Sequence, residues 1–314
     1  MGRAYGGRAL MALAFESTYG TAPGSGFLQM PFVSSQLGAS QELLESELLG
    51  SGRDPLDPDL DVVVADGNIV VPVDTGAFGN WLKLLFGDPT TTGSSDPYTH
   101  VFESAGYDLP SASIEFGYPE VPHYAMNVGV KADTLEMSWQ RSGRLTAQIG
   151  LIAQGEDPPA STSSAGTPTG YTAERFANRH GSITRGGADL GNVTSATLRY
   201  SNNLDRIEEV RDDGKLGGVD EAQASLSGQL VMRHASTALI SAAVAGTPAA
   251  MTLELARSGT RSLVFAMPRV FLSRPKVGPQ GPGGVEVTYD WIASIATNGD
   301  PMLEATLTSA VDAY

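Results

Sequence analysis

The groups with which this 314-residue chain could do chemistry are four histidines and 35 carboxylates, with no cysteine beside them. Lack of Cys removes thiol nucleophiles, thiolate metal sites and disulfides together. His100, His123, His180 and His234 fall in four different segments, so a zinc site needs three of them to converge. Asp54, Asp57, Asp59 and Asp61 alternate as calcium ligands do, but neither the Gly at the sixth position of such a loop nor the Glu at its twelfth is present. That run reads instead as a solvated, Pro-spaced loop. No P-loop, H-E-x-x-H or G-x-S-x-G pattern occurs. A carboxylate pair for glycoside hydrolysis is decided by spatial separation, which sequence does not carry. The expectation is a protein with no active site, cofactor or metal.

The elements that carry these groups are short. With 37 Gly and 19 Pro punctuating runs of Val, Ile, Thr, Leu and Tyr, the chain predicts an all-β fold. Residues 9–15, 61–65, 68–73, 111–116, 135–140, 145–153, 196–201, 222–232, 251–256, 262–271 and 285–295 are the predicted strands. Two helices interrupt them. Phe78, Trp81, Leu82, Leu85 and Phe86 recur at helical spacing and stop at Gly87 and Pro89. A weaker stripe of Leu239, Ile240, Ala243 and Val244 predicts a helix over 236–245 capped by Ser236. Phe78, Trp81, Leu82 and Leu85, with Leu239, Ile240 and Val244, are the expected packing residues. Pro110, Pro119 and Pro122 break the aromatic-rich 98–124 region into turns, and Gly278–Gly284 reads as a hairpin tip. No apolar run approaches the twenty or so residues of a membrane span.

Both helices sit in the same order: a strand beginning Gly67 or Gly228, the helix, then Gly87-Asp88-Pro89 or Gly246-Thr247-Pro248. This predicts a duplication, with copies at 1–157 and 171–314 and a linker at 158–170. Each copy has a Trp in its last hairpin, Trp139 and Trp291. Each also has an acidic extended loop ahead of its Gly strand, at 41–61 and 205–221. Their residues Glu42, Leu43, Leu44, Glu45, Arg53, Asp57 and Asp59, and Arg206, Glu208, Glu209, Arg211 and Lys215, are expected to contact a neighbouring subunit. Formal charge is −15, shared unequally: −13 over residues 1–157 and −2 over the remainder. Such a surface repels nucleic acid phosphate and anionic lipid.

Glu16-Ser-Thr-Tyr-Gly-Thr21, Gly67-Asn-Ile-Val-Val-Pro-Val73, Trp81-Leu-Lys-Leu-Leu-Phe-Gly87, Tyr98-Thr-His-Val-Phe102 and Leu109-Pro-Ser-Ala-Ser-Ile-Glu115 together resemble a family of bacteriophage tail tube proteins, mainly over the first 160 residues. The resemblance implies tube-type β-sandwich domains, each with one flanking helix, whose strands join those of neighbours into a closed β-barrel ring. Stacked rings would form the hollow tail of a virion, assembled in the bacterial host cytoplasm. Partners would be the chain itself, other tail proteins at the tube ends, a tape measure protein during assembly, and viral DNA passing through the lumen without specific binding. One tube domain needs about half this length. The repeat therefore favours a trimer with pseudo-sixfold symmetry; a hexamer with a decorating domain, or a baseplate or host-glycan-binding sandwich, is the alternative. An acidic lumen wall is expected, lined by Asp, Glu, Ser, Thr, Asn and Gln, with most of the 20 bases at subunit and ring contacts.

Overall fold

The computed structural model describes residues 2–50, 52–172, 174–279, 281–297 and 299–314. Met1 and Ser51 of the first predicted copy, Ala173 and Asn298 of the second, and Gln280 of the 278–284 hairpin tip lie outside the described residues. Strands account for 48% of the chain and helices for 7%, so the all-β expectation holds.

The architecture is organised by one antiparallel sheet running through both halves. Its spatial order is Gly38–Leu44, Asp59–Pro72, Thr146–Ala153, the second half of His123–Gln140, Val193–Ser201, Ser225–Arg233 and Glu286–Ala293. The junction of the halves is a seven-residue ladder, from Thr134 opposite Ser201 to Gln140 opposite Ser195. Alternate residues point inward, as a period of two demands: Val71, Ala147, Met137 and Leu198 stand side by side and are all buried. The main core between the layers is one cluster spanning Met11 to Leu307, and a smaller one of Ala12, Ala14, Phe27, Met126, Val128 and Ala165 lies on the other face of the outer layer.

A second layer covers this core. In the first half it consists of Leu10–Phe15, Ala112–Tyr118 and the first half of His123–Gln140. In the second half it consists of Gly181–Arg185, Ala249–Ser258, Arg261–Leu272 and Glu304–Ser309. Two long strands belong to both layers. His123–Gln140 leaves the outer layer after Val130 and enters the central sheet, where Ala132 pairs with Leu151. Arg261–Leu272 pairs with Glu304–Ser309 early and with Trp291–Ala293 late. The bend in the first lies at Gly129, whose φ of 62° is the left-handed region and whose amide N–H donates to Glu16 Oε1.

Several expectations change. The 61–65 and 68–73 strands are one, Asp59–Pro72, passing through Gly67. A Cβ at Gly67 would overlap the backbone of Gln36, and one at Gly228 would overlap the Thr197 carbonyl, so both repeat glycines admit a crossing neighbour. The 98–124 region is not chopped into turns. Tyr98–Glu103, Ala112–Tyr118 and His123 onward are strands, and the prolines sit in the connections between them. The 158–170 linker is not free, because Ser163 Oγ and the Ser164 and Ala165 N–H groups all donate to the buried Glu115 carboxylate. Thr169–Gly170 then runs parallel to Leu28–Gln29. A buried carboxylate needs such donors, and this segment supplies them. The loop expected at 41–61 begins and ends in paired strands, with 45–50 and 52–58 irregular, and the one at 205–221 opens and closes as a ribbon of Asp205–Ile207 with Gly218–Asp220.

Helix Phe78–Phe86 (α1) appears with the predicted bounds, and Phe78, Trp81, Leu82 and Leu85 are buried. The second helix (α2) is Ala238–Ala245, two residues shorter than predicted, because the Ser236 hydroxyl accepts the Ala238 N–H from outside the helix. Leu239, Ile240 and Ala243 pack on the core, but Val244 is 57% exposed. At about 100° per residue Val244 lies some 90° from the centre of that stripe, on the helix flank.

Candidate functional site

The outward face of the central sheet runs across both halves of the chain, and its rows can be read off the register. One row runs Val70, Gln148, Glu136, Arg199, Ser227, Ile292 across six strands. Its neighbours run Asn68, Gly150, Thr134, Ser201, Ser225 on one side and Ser138, Thr197, Gln229, Asp290 on the other. Ser, Thr, Asn and Gln dominate. They satisfy a wet surface, and they offer phosphate no cation.

Charge on this face is paired off. Glu136 meets Arg199 at 3.0 Å, Glu286 meets Arg233 at 3.3 Å, and Arg206 reaches Asp66 from the small ribbon. Asp290 Oδ1 accepts from Gln229 Nε2 at 2.8 Å. Each arginine is thus already engaged by a carboxylate, so its attraction for a passing anion is largely cancelled at close range.

The sheet is open. Nothing among the described residues pairs with the outer side of Gly38–Leu44 beyond a single Glu156 carboxylate accepting the Ala39 N–H. At the opposite edge, Glu286–Asp290 has ladder partners only in Ser225–Arg233, apart from the Ser273 N–H donating to the Asp290 carbonyl. Two unpaired edges of this kind are templates for other strands.

The predicted loop residues divide. Glu42, Leu43, Leu44, Glu45, Arg53, Asp57 and Asp59 all project from the 38–64 hairpin into solvent. Glu208 and Glu209 are also exposed, whereas Arg206 pairs with Asp66, Arg211 with Asp213 and Lys215 with Asp157. The second loop therefore folds back on the first half; Gly214 even accepts the Val63 N–H. No group of three or more potential metal ligands gathers among the described residues, and the four histidines stay apart.

Two carboxylates do structural work that composition does not reveal. Glu16 accepts from Gly20 N–H, Ser111 Oγ, Ser113 Oγ and Gly129 N–H, tying the first loop to the outer layer. Asp74 Oδ1 accepts the N–H groups of Gly76, Ala77 and Phe78 at the start of α1. The second gave no standard start signal, since Asp74 stands four residues ahead of Phe78 and Ala77 holds the capping position.

A two-layered sheet with polar outer rows, paired charges and unpaired edges defines a structural, assembly-type protein. The chain belongs to the phage tail tube protein family, whose model matches residues 6–293. It is a structural component of the phage tail, and the match covers both halves where the sequence resemblance covered mainly the first. No curated protein matches it.

Proposed function

We propose that three copies of this chain close into one ring of a hollow tail tube, each contributing two tandem tube domains, with the polar face of the central sheet lining the channel. The observation carrying this reading is the order of strands. Gly6–Arg8 and Leu10–Phe15 correspond to Asn178–His180 and Gly181–Arg185, and Gly38–Leu44 to Val193–Ser201. Asp59–Pro72 with α1 correspond to Ser225–Arg233 with α2. Ala112–Tyr118, His123–Gln140 and Thr146–Ala153 then correspond to Ala249–Ser258, Arg261–Leu272 and Glu286–Ala293, with Thr90–Thr92 and Tyr98–Glu103 extra in the first half and Glu304–Ser309 extra in the second, and the ladder between residues 134–140 and 195–201 joins one half to the next. A contact made inside the chain is the natural model for the contact between chains: the free 38–44 edge of one copy, equivalent to 193–201, meets the late part of Arg261–Leu272 in another, equivalent to the second half of His123–Gln140. Closure removes both edges.

DNA would pass along the wall formed by residues such as Ser138, Thr197, Gln229 and Asp290 without specific binding, because those rows hold no free cation. Tail proteins at the tube ends, a tape measure protein during assembly, and assembly in the host cytoplasm complete the picture. Rotational symmetry of purified rings in cryo-electron micrographs tests it. Three chains per ring with six similar lobes is the expected result; six chains per ring refutes the tandem reading and leaves one half decorating the outside.

A further inference from the structure

The two ends of the central sheet carry opposite chemistry. Pro72 pairs with Thr146 at one end and Ala65 with Ala153 at the other, from which the 38–64 hairpin continues alone. At the tip of that hairpin Leu48 and Leu49 are 73% and 99% exposed, between the exposed carboxylates Glu45, Glu47, Asp54 and Asp57. An apolar tip in solvent flanked by acids is expensive unless something covers it.

At the opposite end, where His123–Gln140 finishes, a groove of about 460 Å³ opens beside the Asn178–His180 turn. Its floor includes Trp139, Ile183 and Leu190, and Arg141 and Arg179 stand on its rim. Both arginines and the nearby Arg144 are exposed and in no ion pair among the described residues. Asp189 is the one carboxylate in the lining, and the buried Trp139 indole N–H has no acceptor. We infer that this groove receives the 45–58 loop of a second copy, Leu48 and Leu49 entering over Trp139 while Glu45 and Glu47 pair with Arg141 and Arg179. Loop and groove lie at opposite ends of one sheet, so the contact is head-to-tail. It cannot close within one pair, and it propagates along an axis. The inference rests on the tube reading and assigns the contact between successive rings.

The absence of native cysteine makes the test clean. Leu49→Cys and Ser182→Cys change exposed positions, one at the tip and one in the groove lining. In assembled tubes treated with a short bismaleimide, the chain carrying both should give a ladder of linked chains, and either single variant should give none. Tubes without that ladder, or an equal ladder from Leu49→Cys alone, overturn the contact while leaving the ring intact. In a second arm, Arg141→Glu/Arg179→Glu chains should form rings that do not stack, and mixing them with Glu45→Arg/Glu47→Arg chains should restore stacking. Tubes of normal length from the arginine variant refute the inference. A wild-type chain forming no rings at all refutes the tube reading beneath it.

Discussion

Helices α1 and α2 each follow a strand of the central sheet, one in each half, yet α1 buries every residue except Lys83 and α2 buries none. Composition prepares the difference: FGNWLKLLF offers two Phe, a Trp and three Leu, ALISAAVA mostly small side chains. Cover completes it. After α1 come Thr90–Thr92 and Tyr98–Glu103, and Tyr98–Glu103 pairs with Glu304–Ser309. From there Tyr314 folds over α1: its ring packs against His100 and Phe102, its hydroxyl lies near Ser309 Oγ, and its backbone oxygen accepts from Lys83 Nζ. Helix α2 runs through a short turn straight into Ala249–Ser258 and receives no such lid. One motif thus serves as a core element in one half and as a surface element in the other, decided by what the neighbouring chain segments bring.

Four substitutions press on that contrast. Trp81→Ala should cost about 3–5 kcal/mol in chemical denaturation, as expected of an aromatic emptied from a closed core; a loss below about 1 kcal/mol would mean α1 is not held as described. Gly79→Ala should cost roughly 1–3 kcal/mol, because a Cβ there overlaps the Tyr314 ring, and removing Tyr314 in the same chain should abolish that extra cost.

Asp74→Asn is read through pH. Burial pushes the Asp74 carboxyl above its usual 3.8, against the three N–H donors and Arg175, and Oδ2 has no partner. The folded state therefore holds this proton where the unfolded state has released it. Its contribution is full below the unfolded value and declines as pH rises through the raised one. Asn keeps an acceptor for the helix start and removes the proton, so the stability profile of the variant should be flatter just above pH 3.8. Identical wild-type and variant profiles there would contradict a protonated Asp74.

Smallest of all, Val244→Lys should change stability by no more than about 0.5 kcal/mol. A larger loss that grows with protein concentration would reveal that α2 is covered after all, by another copy.

Much of the fold was legible because it is local. The α1 stripe fixed its own bounds, and the alternation in 225–233 and 286–293 marked strands with one buried face. What escaped is long-range. Tyr98–Glu103 and Glu304–Ser309 were not predicted as strands, since each is short and one side of each is completed by the other, some 200 residues away. The two tryptophans were also read as matched, yet Trp139 lies on the first strand of its hairpin and Trp291 on the second. The polar wall was foreseeable as composition only; its rows exist once register places Gln148, Glu136, Arg199 and Ser227 in line. Groove residues such as Ile183 and Arg179 gave no sequence signal, being brought together by the turn that opens the second half.

The pairing of residues 98–103 with 304–309 also sets a timetable. During synthesis the first half can lay down its own strands, but the lid of α1 waits for residues 304–314 to leave the ribosome. Until then Phe102 and the outer side of α1 face water, and the nascent chain is open to chaperones and to premature association. The segment 304–314 therefore acts as a latch on folding order, and a chain truncated before Glu304 should be retained by chaperones although every strand of the central sheet has been made.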